Sequence, residues 1–402
     1  MGQSGDRWWR AVCRGFAVVV LGTLLLAPRH PVSAQEVPEL KVNSAQYIVI
    51  DGGTGEIFAQ RGANDRAAMA SLTKVFTAIE AIEAAPGETI LETSEDDLLD
   101  ANNSLMGFDA GERLRLEELL YGLMLPSGND AALAIARNLG GQPGDDPERA
   151  VRRFVDRMNQ RVIDMGLRDT HLVNPHGWGV PDHYTSPHDL ATFVMYALRY
   201  PRFVELISAE TYETAEGFQL RNNNRLLTDL GYPDLIGGKT GYDWDAGWCL
   251  IEVAERDGST MISVTFDGVH ENGDWYDDNR VLLDYAFDQK SARVAADDQI
   301  TGERVSFLDP DAAVIGRGAA SGAVLGTLPD PVVLGLSAPG PAGGNPAPVP
   351  SVVRPPPGGL TPAGGLDARM LPALLVAVSI IGGQGVKSAV RHREQRRRFQ
   401  PS

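Results

Sequence analysis

Two runs of β-branched and aromatic residues, joined by a Gly-rich turn, lead directly into a helical pattern, and this order is the strongest constraint on the fold. The runs are AQYIVID, which begins at Ala45, and IFAQR, and the turn between them is GGTGE. Such a pair of runs around a short glycine turn predicts a β-hairpin. From Leu72 to Ile82 the apolar residues then recur at helical spacing. The sequence therefore predicts an antiparallel hairpin followed at once by a helix.

Ser71 lies at the start of this predicted helix, and Lys74 lies three residues further on. Positions i and i+3 share a face of a helix, so the lysine amine can reach the serine hydroxyl. A serine hydroxyl is a weak nucleophile until a neighbouring base removes its proton. The spacing therefore indicates a candidate nucleophile with its base. A capping serine beside an exposed lysine is the alternative that this motif alone leaves open.

A second candidate pair follows an amphipathic helix that stops at Pro126. The helical run LRLEELLYGLML leads into Ser127, Gly128 and Asn129, after which DAALAIARNL resumes the helical spacing. A serine and an asparagine two residues apart on a tight turn between helices can both point into one cleft. A simple helix cap is the alternative reading of this turn.

The third motif, Lys239-Thr240-Gly241, lies between glycines and before the strand-like run WCLIEVA. Glycines beside a strand allow the backbone of a substrate to approach closely. A further predicted strand, TMISVTF, and a predicted helix, YDDNRVLLDYAFDQ, close the folded body near residue 289. The motif therefore indicates a strand against which a substrate chain can lie.

Lysine is scarce in this chain, and the charge is unevenly distributed. Only 5 of the 36 basic residues are lysines, and Lys74 and Lys239 are two of them. An amine can lose its proton under conditions in which a guanidinium cannot, so these positions fit acid–base chemistry. Residues 1–34 carry a net charge of +3 and residues 384–402 carry +5; because the whole chain carries −17, the stretch between them carries −25. A body this acidic repels phosphate backbones and argues against nucleic-acid binding.

The two ends of the chain predict export and membrane attachment. Residues 1–34 have arginines before the apolar run 16–27 and small residues at 32–34, as in a cleaved signal peptide; an uncleaved anchor is the alternative. Residues 370–386 are apolar apart from Ser379 and Gln384 and predict a membrane anchor, with the basic tail 387–402 in the cytoplasm. A shallow interfacial helix is the alternative for the anchor. We therefore expect the body to lie on the periplasmic or cell-wall side of the membrane.

Two segments separate the predicted body from the predicted anchor. Residues 337–366 are crowded with proline, glycine and alanine, cannot bury a core, and predict a semi-rigid stalk. Residues 291–336 contain short β-branched runs broken by Gly, Pro and Asp, which predict a small β-rich appendage. The folded body is thus expected to end where this appendage begins.

The motifs S-L-T-K, S-G-N and K-T-G, in this order, resemble the active-site motifs of the serine penicillin-binding protein and β-lactamase superfamily. The flanks AAMASLTKVFTA, MLPSGNDAALAIA, LVNPHGWGVPDHYTSPHDLA and GGKTGYDWDAGWCL are similar to low-molecular-mass D-alanyl-D-alanine carboxypeptidases, over about residues 39–290. This resemblance implies an α+β fold of the β-lactamase/transpeptidase-like type. It consists of an antiparallel sheet flanked by helices, a helical subdomain and a small C-terminal β region.

The same resemblance implies a mechanism. Ser71 would attack the penultimate D-alanine carbonyl of a peptidoglycan pentapeptide ending in D-Ala-D-Ala, with Lys74 as the base and Ser127 as a proton relay. β-Lactam antibiotics would acylate the same serine, and no metal or organic cofactor would be needed. The backbone N–H groups of Ser71 and Tyr242 would form the oxyanion hole. The substrate-binding residues implied by the resemblance are Asn129, Lys239, Thr240, Gly241 and Tyr242.

Other functions share this machinery or this fold. A β-lactamase is one, but class A enzymes use S-D-N and an E-x-x-L-N glutamate, whereas this chain has S-G-N and no E-x-x-L-N between Asn129 and Lys239. A D,D-endopeptidase, a transpeptidase and a catalytically silent wall-binding protein are the others. Related carboxypeptidases place an arginine before the last helix to bind the terminal carboxylate of the substrate. Trp275 stands there in this chain, and Arg280 is out of phase with it.

Two groups of side chains have both a structural and a functional interpretation. Trp244 and Trp248 flank the K-T-G strand and would either contact a glycan or pack in the core. Four histidines lie within 18 residues, but their spacing lacks a compact metal-binding pair, so we expect no metal site. The four are His171, His176, His183 and His188, and the resemblance implies that His176 has a structural role.

Overall fold

A five-stranded antiparallel sheet organises the part of the chain that the computed structural model describes, which is residues 40–269, 274–296 and 302–310. In this sheet the strand order is β2-β1-β9-β8-β7, and two short two-stranded sheets, β3-β4 and β5-β6, lie outside it. The strands are β1 (Gln46–Asp51), β2 (Ile57–Arg61), β3 (Ile90–Glu92), β4 (Arg113–Arg115), β5 (Thr211–Glu213), β6 (Gln219–Arg221), β7 (Leu235–Asp243), β8 (Gly247–Arg256) and β9 (Ser259–Gly268).

Helices cover both faces of the sheet. One helix, α7, packs on β8, β9, β1 and β2, while α5 packs on β1 and β9, and α1 to α4 pack against one another beside the sheet. The predicted α+β arrangement of an antiparallel sheet flanked by helices is confirmed. The helices are α1 (Lys74–Ala84), α2 (Leu116–Met124), α3 (Asn129–Gly140), α4 (Pro147–Asp164), α5 (Pro187–Ala197), α6 (Pro201–Ser208) and α7 (Asp274–Ala295).

The predicted hairpin is β1 and β2, and it leads into the predicted helix. Ile48, Val49 and Ile50 are fully buried, because β1 lies between β2 and β9 and is covered by helices on both faces. Every residue of α1 from Lys74 to Ala81 is buried as well. The first helix therefore carries a lysine into the interior of the protein.

The folded body extends beyond the predicted boundary at residue 290. The last helix continues to Ala295, and the chain then returns to the free edge of β2. There the Ile57 N–H donates to the Glu303 carbonyl at 2.9 Å, and the Val305 N–H donates to the Gly55 carbonyl at 2.8 Å. Val305 and Phe307 are buried in the core. The beginning of the predicted appendage is thus part of the body, because its apolar side chains fill the core beside an unpaired strand edge.

The predicted signal peptide (residues 1–34), stalk (337–366), anchor (370–386) and basic tail (387–402) lie outside the described residues, as does most of the predicted appendage. Within the ranges that the structure describes, no helix is both long enough and apolar enough to cross a membrane. The predictions for the ends of the chain therefore stay predictions.

Candidate active site

Ser71 lies in a 3-10 turn, Ala70–Thr73, that leads into α1. Ala70 has a φ of +46°, a backbone conformation that costs free energy for a residue with a side chain. Thr73 Oγ1 donates to the Ala70 carbonyl at 2.8 Å, and His183 Nε2 lies 2.8 Å from the same Thr73 oxygen. The Val173 N–H donates to His183 Nδ1, so Nε2 carries the imidazole proton. Burial lowers the pKa of His183 to about 4, which keeps this link neutral.

Gly177 brings a second loop against the Ser71 turn. Its φ is +92°, and a Cβ at this position would lie 1.9 Å from the Ala70 carbonyl oxygen. Only glycine fits both the conformation and the contact. This close approach places the preceding carbonyl group, that of His176, within reach of Lys74.

The amine of Lys74 has three neighbours at hydrogen-bond distance. Nζ lies 2.8 Å from Ser71 Oγ, 2.7 Å from Asn129 Oδ1 and 2.8 Å from the His176 carbonyl oxygen. Burial and the positive charge of Lys239 together hold the pKa of Lys74 well below its usual value. A neutral amine has two N–H groups and one lone pair. The two carbonyl oxygens accept the N–H groups, so the lone pair is left facing the Ser71 hydroxyl, as a base requires.

Ser127 lies in the turn between α2 and α3, with a φ of +63°. The Gly128 N–H donates to the Gly122 carbonyl at 2.9 Å, which closes the turn from one side. Asn223 holds the other side, because its backbone N–H donates to the Leu125 carbonyl and its side-chain amide donates to the Pro126 carbonyl, each at 3.0 Å. These hydrogen bonds therefore hold Ser127 in a left-handed backbone conformation that is usually occupied by glycine.

Asn129 begins α3 directly after this turn. Its Oδ1 accepts from Lys74, and its Nδ2 donates to Asn103 Oδ1 at 3.0 Å, so the amide orientation is fixed from both ends. The next residue, Asp130, accepts the N–H groups of Met106 and Gly107, each at 2.8 Å. These bonds hold the loop that supplies Asn103 against the start of α3.

Lys239 forms a second serine–lysine pair. Its Nζ donates to Ser127 Oγ and to the Thr240 carbonyl, each at 2.8 Å. The side chain is only 2% exposed, and burial lowers the pKa of Lys239 to about 7. The site therefore contains two buried amines, each facing a serine hydroxyl.

The remaining predicted residues lie along β7. A Cβ at Gly241 would lie 3.1 Å from the Met69 carbonyl, so glycine lets β7 lie close to the Ser71 turn. Thr240 is partly buried, whereas Tyr242 is 45% exposed, and its ring lies 4.2 Å from that of Trp248. Hydrogen bonds thus join Lys74 to Ser71 and Asn129 in one set and Lys239 to Ser127 in a second, and Lys239 itself belongs to β7.

Four contributors to this site were missed in the sequence: Asn103, Asn223, His183 and the carbonyl group of His176. The two asparagines belong to polar loop runs, ANNS and RNNN, that signal only loops. His183 was weighed as a metal ligand, but no cluster of metal-binding side chains occurs within the described residues. The His176 contribution comes from the backbone, which carries no sequence signal.

Known proteins of one family are similar to this chain. A sequence profile of the family described as D-alanyl-D-alanine carboxypeptidase matches residues 32–270. The chain is 29% identical to D-alanyl-D-alanine carboxypeptidase DacF of Bacillus subtilis, over 69% of this chain and 71% of that protein. It is 30% identical to DacA of Escherichia coli, over 69% of each.

Solved structures show the same similarity. The fold matches the crystal structure of a Streptomyces DD-transpeptidase with a TM-score of 0.57 and 27% identity, over 61% of this chain and 98% of that one. It matches a D-alanyl-D-alanine carboxypeptidase from Mycobacterium tuberculosis with a TM-score of 0.57 and 28% identity, over 63% and 95%. The chain therefore belongs to the D-alanyl-D-alanine carboxypeptidase family of serine peptidases.

Proposed function

We propose that this protein removes the terminal D-alanine from peptidoglycan stem peptides ending in D-Ala-D-Ala, through an acyl-enzyme on Ser71, and that penicillins acylate the same serine. The observation that carries the proposal is the environment of Lys74. Two carbonyl oxygens take its N–H groups, and the Ser71 hydroxyl lies 2.8 Å from its nitrogen. Burial and the charge of Lys239 keep the pKa of this amine low, so it can act as a base.

In the acylation step Lys74 takes the proton of Ser71 as the serine oxygen bonds to the carbonyl carbon of the penultimate D-alanine. The backbone N–H groups of Ser71 and Tyr242 stabilise the oxyanion, at about 2.7–4 kcal/mol per donor. The C–N bond to the last residue then breaks. Its nitrogen receives the proton through Ser127, whose hydroxyl Lys239 orients. Free D-alanine leaves, and the peptide remains as an ester on Ser71.

In the deacylation step the neutral Lys74 takes a proton from water as the water oxygen attacks the ester. The bond to Ser71 breaks, Lys74 returns its proton to the serine oxygen, and the shortened peptide leaves as a carboxylate after its acid proton passes to solvent. Asn129 holds an amide of the substrate, while Thr240 and Gly241 on β7 hold its backbone and terminal group. Penicillin follows the same first step when its ring amide opens.

We further propose that the body acts outside the cytoplasm and that the C-terminal segment anchors it to the membrane. The apolar run 370–386 and the arginine-rich tail after it support this orientation. Stem peptides of the cell wall are then available to the cleft.

The test is to incubate the purified full-length chain with a fluorescent penicillin and to follow D-alanine release from a pentapeptide. We expect covalent label and D-alanine release from the wild type, and neither from Ser71→Ala. The matched control is Ser208→Ala, because this serine hydroxyl bonds only the Glu205 carbonyl among the described residues. Label that persists in Ser71→Ala would contradict the acyl-enzyme, and rapid penicillin turnover without D-alanine release would favour a β-lactamase.

A further inference from the structure

A buried carboxyl group, that of Glu252, lies against the strand that carries Lys239. Glu252 on β8 is fully buried and pairs in register with Gly238 on β7, the residue directly before Lys239. A Cβ at Gly238 would lie 2.6 Å from Glu252 Oε2, so the absence of a side chain there leaves room for the carboxyl group. The acyl-transfer steps give this carboxyl group no role, although it contacts the backbone beside one of the two site lysines.

The same carboxyl oxygen accepts a hydrogen bond from the asparagine loop, residues 222–224. Asn224 is fully buried, and its Nδ2 donates to Glu252 Oε2 at 3.0 Å. The amide cannot turn round, because its Oδ1 accepts the Leu226 N–H at 3.0 Å. The Asn224 N–H also donates to Asn222 Oδ1 at 2.9 Å, which ties the ends of the loop together. The carboxyl group therefore fixes this loop from the protein interior.

The middle residue of the asparagine loop, Asn223, contacts the Ser127 turn. Its backbone N–H donates to the Leu125 carbonyl and its side-chain amide donates to the Pro126 carbonyl, each at 3.0 Å. A continuous path thus runs from the Glu252 carboxyl group through the loop to the residue before Ser127. Glu252 therefore contacts the supports of both members of the Ser127–Lys239 pair.

The Glu252 carboxyl group is mostly protonated at neutral pH. Burial raises its pKa to about 8, and the bond from Asn224 opposes this shift only in part. Its second oxygen, Oε1, has no hydrogen-bond partner among the described residues. A glutamine side chain has the same length and the same carbonyl acceptor, so it can replace the protonated acid here.

We propose that Glu252 is a positioning residue for the Ser127–Lys239 pair, holding the asparagine loop against the Ser127 turn and lying against β7 beside Lys239. The inference rests on the proposed function, in which Ser127 delivers a proton to the leaving nitrogen and Lys239 orients Ser127. Glu252 itself does not touch the substrate. It acts through the asparagine loop and the backbone at Gly238.

Proton delivery by Ser127 is needed when the leaving atom is nitrogen, because an amide nitrogen must gain a proton as its C–N bond breaks. A thioester reacts differently. The Ser71 oxygen bonds to its carbonyl carbon, the C–S bond breaks, and the electron pair stays on sulfur, which leaves as a stable thiolate. Lys74 takes the serine proton in both reactions, and the same acyl-enzyme forms. The amide-to-thioester ratio of kcat/KM therefore reports proton delivery and does not depend on the amount of folded protein.

The experiment compares diacetyl-L-Lys-D-Ala-D-Ala with the thioester diacetyl-L-Lys-D-Ala-thioglycolate on the full-length chain. In Glu252→Ala the amide-to-thioester ratio of kcat/KM is expected to fall about tenfold, because the asparagine loop loses its internal hydrogen bond. Glu252→Asp keeps an acid but is one methylene shorter, so its ratio is expected to fall as well. Glu252→Gln keeps the acceptor for Asn224 and is expected to keep the wild-type ratio.

The matched control is Glu56→Ala, because Glu56 is also fully buried but pairs with Arg293, outside both serine–lysine pairs. Its ratio is expected to equal that of the wild type. A wild-type ratio in Glu252→Ala, or an equal fall in Glu56→Ala or in Glu252→Gln, overturns the positioning role. If Glu252→Ala does not fold, the comparison of Glu252→Asp with Glu252→Gln decides.

Fluorescent penicillin labelling of the same preparations separates this inference from the proposed function. A wild-type chain that is labelled and cleaves both substrates, with a ratio that the Glu252 variants leave unchanged, overturns the positioning role alone. A chain that shows neither label nor cleavage of either substrate overturns the proposed function and the positioning role together.

Discussion

Ser71 and Ser127 both lie where a residue with a side chain has a left-handed backbone, yet different partners hold the two turns. Next to Ser71, Ala70 has a φ of +46°, and the buried Thr73–His183 link and the Gly177 contact hold it. Ser127 itself has a φ of +63° and depends on backbone bonds and on the exposed Asn223. Strain of about 1–3 kcal/mol per residue persists only where neighbours enforce it. Buried groups therefore hold the backbone beside the Ser71 nucleophile, whereas a surface loop holds the backbone of Ser127, the proposed proton relay.

The largest effect is expected from replacing Lys74, the proposed base beside Ser71. Lys74→Arg replaces the amine by a guanidinium that cannot become neutral and so cannot act as a base, and acylation by fluorescent penicillin should slow by about 10²–10⁴-fold. The matched control is Lys290→Arg, since Lys290 pairs with Asp51 at 2.9 Å in an ion pair outside the serine–lysine network. Equal acylation rates for the two variants would show that Lys74 is not the base.

The second largest effect is expected from disturbing the contact between Gly177 and the Ser71 turn. Gly177→Ala places a Cβ against the Ala70 carbonyl, and a displacement of about 1 Å in a reacting group can slow catalysis about 100-fold. Gly144→Ala is the control, because Gly144 also has a positive φ of +88° but has no atom within 4 Å of its Cβ position. Acylation that slows equally in both variants would mean that backbone strain, and not the contact, causes the loss.

The third largest effect is expected from removing the charge of Lys239, which lies beside Ser127 and acts on Lys74. Lys239→Gln removes a positive charge that lowers the pKa of Lys74, so the pKa of Lys74 should rise. The acylation rate increases with pH as Lys74 loses its proton, so the rising limb of the pH–rate profile should move to higher pH. At pH 7 the rate should fall about tenfold, because Ser127 also loses a charged donor. A rising limb at the wild-type pH would show that the two amines are not coupled.

The smallest effect is expected at the surface support of the relay. Asn223→Ala removes one side-chain hydrogen bond to the Pro126 carbonyl, worth about 1 kcal/mol, and acylation should slow about fivefold. Asn138→Ala removes side-chain bonds to the Glu92 and Ala134 carbonyls, outside the two serine turns, and should leave the rate unchanged. A loss at Asn223 as large as that at Gly177 would erase the distinction between the two turns.

The components of the site could be read from the sequence, but the way they are held could not. Helical spacing places Lys74 beside Ser71, and the two bond at 2.8 Å. The order of three motifs, through a family resemblance, brings Ser127, Asn129 and Lys239 to the same cleft. No local pattern links His183 to Thr73, which lies 110 residues earlier, because such a contact depends on how distant loops pack.

The fold shows the same division between local and distant information. The hairpin and the helix after it follow from alternating and helical periodicity, which act over a few residues. The prediction that the body ends near residue 290 did not include Val305 and Phe307, two isolated apolar residues that are buried in the core. They become part of the core only when the chain returns to β2, and sequence periodicity over so short a segment carries no trace of that return.

The return of residues 303–308 also bears on self-association through the edge of the sheet. A strand at the margin of a sheet offers free N–H and C=O groups to any neighbouring chain. The bonds of Glu303 to Ile57 and of Val305 to Gly55 cover the start of that margin, and the ion pair between Arg199 and Asp309 at 2.9 Å holds the segment just beyond them. An expression fragment cut at residue 290 would uncover this margin and the apolar surface beneath it, and so invite self-association. A fragment that ends after residue 310 keeps the segment that covers this edge.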